Sequence, residues 1–216
     1  MSSAHLVVLR RAFEMAGTAI RPELTVIFDV RRYLPRGSGQ INGNFITGLS
    51  IPNGSLGEPR QVSLAIRAQT HSGRALAALL AGVLLHWTRA RHNSLSCIAP
   101  RNAQARLMFS SLGISRALQE LPWKTDVGHR ICAFITEPAR PEHVTVVLIM
   151  VGGVVHLTAS FHSNVFDEDA VRQALALAAS DPLWLLDGDR SRAAVMSGPA
   201  SSDASGGTAE AIEITE

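Results

Sequence analysis

The stretch VVLIMVGGVVHLTASFHSNVFDEDAVRQAL, from Val146 to Leu175, carries the clearest local structure in the 216-residue chain. The run Val144 to Val151 is apolar on both faces, as in a strand covered above and below. Gly152-Gly153 follows, and a Gly-Gly pair between two such runs signals a two-residue hairpin. In the returning strand Val155, Leu157, Ala159 and Phe161 alternate with His156, Thr158, Ser160 and His162, so one face is expected on the core and the other against solvent or a cleft. Asp167 is placed to cap a helix whose Val171, Leu175 and Ala178 face inward, with Glu168 and Asp169 at its positive end. That helix is predicted to stop at Asp181-Pro182.

Working outward, Leu24 to Val30 is rich in β-branched residues and predicts a strand, followed by the basic turn Arg31-Arg32-Tyr33-Leu34-Pro35 and a Gly/Ser loop. Asn44 to Ile51 predicts a second strand, closed by Pro52-Asn53-Gly54. From Arg60 to Arg91 the period turns helical, and Ser72-Gly73 divides the stretch into two helices from which Arg67, Arg74, Arg89 and Arg91 project, beside Trp87, as a solvated face. Leu107 to Ser110 and Arg130 to Thr136 are shorter strand candidates, with a helical turn between Gly113 and Pro122. At the start of the chain Leu6, Leu9, Phe13 and Ala16 mark a helix, with Ser3 as N-cap and Gly17 at its exit. After Leu186 the composition shifts to Ser, Gly, Ala and acids, so residues 1–186 are expected to form the folded unit and 187–216 a disordered tail.

Apolar residues make up 46% of the chain and charged residues 18%, the balance of a packed domain. Four of the 18 acids fall after Met196, which leaves the preceding part at a net charge of +6. That is mildly basic and predicts no nucleic-acid partner. Cys97 and Cys132 lack any metal-type spacing and point to a reducing compartment. The first residues do not have the layout of a secretory signal, and the apolar run Ala75 to Leu85 is far short of the ~20 residues that a transmembrane helix needs. A cytoplasmic protein without a transmembrane segment is expected.

The sequence offers no self-contained active site. A Gly-rich phosphate loop, a Gly-x-Ser-x-Gly elbow and a His-Glu-x-x-His motif are all missing. His156 and His162 share a strand face, but six residues of extended chain set them roughly 20 Å apart, too far to hold one metal ion. Ser160 and His162 share that face without an identifiable orienting acid. His71, His86 and His92 belong to the helical region as amphipathic or interface imidazoles. No catalytic or metal-ligating residue is therefore assigned. The unit from Leu24 to Ile51 stands out instead: a strand, an Asp-x-Arg turn at Asp29 and Arg31, a flexible loop, then Gly43-Asn44-Phe45 opening the next strand. Glycine there allows close backbone approach and the Asn amide can pin a loop, although a hairpin-like connection accounts for the same residues.

The runs LTVIFDVRRYLP and INGNFITGLSI resemble the segment that opens the second half of the chloramphenicol-acetyltransferase-like superfamily. That group includes condensation domains of nonribosomal peptide synthetases, polyketide-associated acyltransferases and wax-ester/diacylglycerol acyltransferases. RNAQARLMFSSLG is similar to a later arginine-containing segment of these proteins, and the stretch from Val146 to Leu175 to their last hairpin and helix, so the resemblance runs from about residue 4 to residue 180. It implies an α/β (α+β) fold, a two-layer sandwich of a mixed sheet with helices, like the C-terminal lobe of a condensation domain.

Members of that superfamily are two-lobed, and their His-His-x-x-x-Asp-Gly motif belongs to the first lobe. This chain has no adjacent histidines. The resemblance thus implies the C-terminal half of an acyltransferase that moves an acyl group from a pantetheine thioester to an alcohol or amine, inactive alone, in secondary metabolism or lipid biosynthesis. No bound cofactor is implied; acyl-coenzyme A or an acyl-carrier phosphopantetheine would be the co-substrate. The implied partners are a first-lobe chain or a second copy of this one, and a carrier protein. Asp29, Arg31, Gly43, Asn44 and Phe45 would be structural or tunnel-lining, with Arg31 paired to an aspartate of the missing motif. The alternatives are a non-catalytic interaction module with the same fold, and a truncated gene product.

Overall fold

Five strands form one mixed sheet in the order β2-β1-β3-β4-β5, with β1 at Glu23–Asp29, β2 at Ile46–Pro52, β3 at Arg106–Ile114, β4 at His143–Val151 and β5 at Val154–Ser160. The computed structural model describes residues 3–33, 46–52, 57–89, 104–126, 129–138 and 140–187. The two outer pairs, β1–β2 and β4–β5, are antiparallel, and β3 joins them by running parallel to both β1 and β4. The fold is α/β, as the sequence predicts. Gly152 and Gly153 make the β4–β5 turn at φ of 60° and 84°, the left-handed pair that a tight twist-matched hairpin requires.

Helices α1 (Ser3–Met15), α2 (Pro59–His71), α3 (Arg74–Arg89), α5 (Glu168–Ser180) and α6 (Pro182–Leu186) pack on one face of this sheet; α4 is the short turn Arg116–Gln119. Ser72 and Gly73 separate α2 from α3, as predicted, with Gly73 at φ 70°. Helix α1 lies at the centre of this layer and buries Leu6, Val7, Val8, Leu9, Ala12 and Phe13. Its buried surface is wider than the single stripe expected from Leu6, Leu9 and Phe13, because α2, α5 and α6 flank it while the sheet lies beneath. Arg11 ties the layer together by donating to Leu185 O at the end of α6 and to Gly57 O just before α2. Val171, Leu175 and Ala178 face inward and Asp167 caps α5 by accepting from Asp169 N–H, both as predicted.

Four local expectations are corrected. Arg130 to Thr136 forms no strand ladder: its Phe134 and Thr136 amides donate to side chains of β5 rather than to a neighbouring backbone. Asp181-Pro182 ends α5 but also starts α6, since the Asp181 carboxylate accepts from Trp184 N–H and Pro182 occupies a first-turn position that lacks a hydrogen-bonded donor anyway. The third strand runs four residues past Ser110, and Ser3 is the first residue of α1 rather than its cap. The predicted tail from 188 onward, Pro52-Asn53-Gly54 beyond Pro52, and Arg91, His92 and Cys97 lie outside the described residues. No described helix is long and apolar enough to cross a membrane.

Phe13 is fully buried at the junction of α1 with the sheet. Phe13→Ala is expected to cost about 3–5 kcal/mol through lost transfer energy and a residual cavity, read as a lowered urea midpoint at unchanged m-value.

Candidate functional site

The sheet's second face is built from the residues that alternate with the core positions. One row crosses all five strands through Ser50, Thr25, Met108, Thr145 and Ser160. Burial along it is uneven: Ser50 is exposed and Met108 half-buried, whereas Thr145 and Ser160 are buried. Over β5 the cover comes from residues 129–138, whose Phe134 and Thr136 N–H groups donate to Thr158 Oγ1 and Ser160 Oγ at 3.4 and 3.2 Å. Donors and acceptors both recur every second residue, so side-chain hydroxyls take the place of a sixth strand's carbonyls. The polar face of β5, expected against solvent or a cleft, is thus covered at Thr158 and Ser160, while His156 and His162 are half-buried. Ser160 Oγ serves there as an acceptor for Thr136 N–H.

Over β2 and the far end of β1 the same face is open, whereas Thr25 of β1 is buried. Gly48 and Ser50 are exposed, Ile46 is 51% exposed, and Ile27 is half-buried. Gly48 is required by close approach, since a Cβ there would stand 2.9 Å from the Thr25 methyl carbon. At the rim of this open sector the Asp-x-Arg turn is brought together as a unit. Asp29 Oδ1 accepts from Arg31 N–H at 2.9 Å and Asp29 Oδ2 from Arg31 Nη1 at 3.2 Å, at the start of the 3₁₀ turn Val30–Tyr33. Among the described residues Arg31 pairs with the Asp29 carboxylate of the same turn. Tyr33 Oη donates to Thr70 O at 2.6 Å, and Phe28 stacks obliquely on Tyr33, so the turn is fastened to the end of α2. Gly43, Asn44 and Phe45 lie outside the described residues; Ile46, which follows them, pairs with Asp29 at the end of the β1–β2 ladder.

The opposite end of the sheet holds a group that the sequence reading passed over. His143 opens β4 beside Arg106 of β3, is buried, and has no hydrogen-bond partner for either ring nitrogen among the described residues. Around it lie Glu142, Arg140, Arg21 and Arg106, with Arg106 paired to Glu23 at 3.3 Å and Glu142 within 4.0 Å of Arg21 and 3.8 Å of Arg140. Burial pushes the imidazole below its ordinary pKa of 6.5; Glu142 opposes the shift, and Arg106, Arg140 and Arg21 reinforce it. The available signal was a lone polar residue at the head of an apolar strand. His156 is also lowered by burial, while His71 is exposed and bonds Arg67 O within its own helix. Among the described residues no group of His, Cys, Asp or Glu is arranged to hold a metal ion.

No family model matches the sequence, and no curated protein matches it. Among solved structures, the chain is similar to the epimerization domain from the third module of tyrocidine synthetase B, with a TM-score of 0.47 and 10% identity over 88% of this chain. The chain spans 42% of the length of that domain.

Two expectations follow from this surface. His143 has a folded-state pKa below its unfolded one, so its contribution to stability is complete above about pH 6.5 and is lost as the pH falls through that value toward the folded pKa. Thermal melts between pH 7.5 and 5 should fall less steeply for His143→Leu than for the parent chain, with His5 and His156, also lowered, supplying the remaining slope. Removing both hydroxyl acceptors with Thr158→Val and Ser160→Ala should cost about 1 kcal/mol per bond and expose residues 129–138 to faster amide exchange. Unchanged protection at Phe134 and Thr136 would show that the hydroxyls do not hold the segment.

Proposed function

We propose that this chain is the C-terminal half of a condensation-type acyltransferase, completed by a first lobe that supplies the catalytic histidine. The observation that carries the reading is the open sector of the sheet over β2 and the far end of β1, with the Asp-x-Arg turn at its rim, in a chain whose motifs occur in the order of that family's second lobe. A covering lobe would seat on this sector and close an acyl tunnel between the two. The reaction is transfer of an acyl group from a pantetheine thioester, on coenzyme A or a carrier protein, to an alcohol or amine. No group of this chain is assigned as the base. Ser160 already serves as an acceptor for Thr136 N–H, and the ring nitrogens of His143 are buried.

A second reading, a non-catalytic interaction module with the same half-fold, is favoured by one observation. Arg31 has its carboxylate within its own turn, so the fold does not require the partner aspartate to satisfy that guanidinium.

The test is acyl transfer from acyl-coenzyme A to simple alcohols and amines, run with the purified chain alone and together with a chain carrying a His-His-x-x-x-Asp-Gly lobe. The first reading expects no turnover alone, turnover in the mixture, and a loss of rate on Asp29→Ala. Co-elution of the two chains without turnover supports the module. Turnover by the chain alone, abolished at His156 or His162 with the fold intact, would overturn both.

A further inference from the structure

Ala75 is fully buried and Leu79 partly so, both packed against Val30 and Leu49 where α3 crosses the edge of the sheet. Beyond that crossing every residue from Leu80 to Leu84 is exposed, although all five are apolar or glycine, and Leu80, Val83 and Leu84 are exposed by 56%, 52% and 69%. A helix that is apolar around its circumference is normally buried, so this segment calls for a partner.

The charge at the start of this helix and on the helix before it bears on the partner's chemistry. From Pro59 to Gln119 the sequence contains eight arginines and no aspartate or glutamate, although acids make up 18 of the 216 residues. Arg60 and Arg67 on α2 and Arg74 at the start of α3 are exposed, and none of the three has an ion-pair partner among the described residues. A second copy is poorly matched to this helix. Its first and last residues, Arg74 and Arg89, are both basic, so pairing two copies in either direction sets arginine opposite arginine. An anionic surface with an apolar interior suits both features. At 16 residues the helix is ~24 Å long, short of the ~30 Å hydrocarbon core, so it would lie along the interface rather than cross it.

We propose that α3 docks this chain on an anionic lipid membrane, with Leu80, Val83 and Leu84 inserted among the acyl chains and Arg67 and Arg74 at the phosphate level. The surface is separate from the open sector of the sheet, and the proposal stands whether or not the chain takes part in acyl transfer.

The test is co-sedimentation of the full chain with vesicles of phosphatidylcholine alone and of phosphatidylcholine mixed with phosphatidylglycerol, at low and high salt. The chain should pellet with the anionic mixture at low salt and be released by high salt. Leu80→Asp combined with Leu84→Asp should leave it in the supernatant with an unchanged circular dichroism spectrum. Arg67→Gln and Arg74→Gln, at exposed positions that leave the core untouched, should each weaken partitioning about fivefold. Failure of the parent chain to pellet with the anionic mixture would overturn the proposal, as would undiminished binding by both sets of variants. A dimer in solution that the aspartate pair converts to monomer, without vesicle binding, would assign the helix to a second copy and overturn it equally.

Discussion

Helix α1 lies against the middle of the sheet with α2 on one flank and α5 and α6 on the other, and most of the core is organised by that contact. Helix α1 buries Leu6, Val7, Val8, Leu9, Ala12 and Phe13, a wider surface than the sheet beneath it covers alone. The last two helices must therefore return to the first, bringing the segment up to Leu186 back across the chain's opening residues. Arg11 records this closure in polar form, because its guanidinium satisfies carbonyls contributed by α6 and by the residue ahead of the α2 start. With helices committed to one face, the other face of the sheet must be satisfied by different means.

Those means differ along the sheet. Over β4 and β5 the face is apolar enough at Val147 and Ile149 to need cover, and the cover is irregular chain held by the hydroxyls of Thr158 and Ser160. The arrangement leaves orphans: Thr25 Oγ1, Thr136 Oγ1, His156 Nε2 and both nitrogens of His143 are buried without partners among the described residues. Such groups are costly, and several on one face are unusual for a surface with a purely structural role. Over β2 the face stays open, with the Thr25 methyl group of β1 approaching Gly48 closely.

The features legible in the sequence are those whose physics is local. The Gly152-Gly153 turn, the Ser72-Gly73 break and the Asp167 cap each depend on residues within a few positions of one another, and each is where it was expected. The features missed depend on distant partners. Residues 130–136 have strand-like composition, but the acceptors of the Phe134 and Thr136 amides lie 24 positions away on side chains, which no periodicity reveals. At the candidate site, Asp29 and Arg31 were legible as a motif. Their mutual pairing was not, because the resemblance directs Arg31 toward a carboxylate on another lobe. His143 was passed over because a lone histidine at a strand's start carries no pattern; only the surrounding Arg21, Arg106, Arg140 and Glu142, brought from three segments, give it character.

The chain's exposed apolar surface falls into two areas with different electrical settings. Around the open sector of the sheet, Asp29 and Glu23 balance Arg31 and Arg106, so a protein lobe could cover it by matching shape and a few polar pairs. The stretch from Pro59 to Gln119 that contains α3 holds no acid, so apart from Glu58 and Asp29 at its borders a protein partner would have to supply the opposite charge itself. A membrane supplies it as a continuous sheet of phosphates at the depth where arginine stems reach from an inserted helix. The two areas therefore place different demands on what covers them. One substitution set in each, Ile46→Asp at the sheet and Leu80→Asp on the helix, should separate loss of lobe association from loss of lipid binding in the same chain.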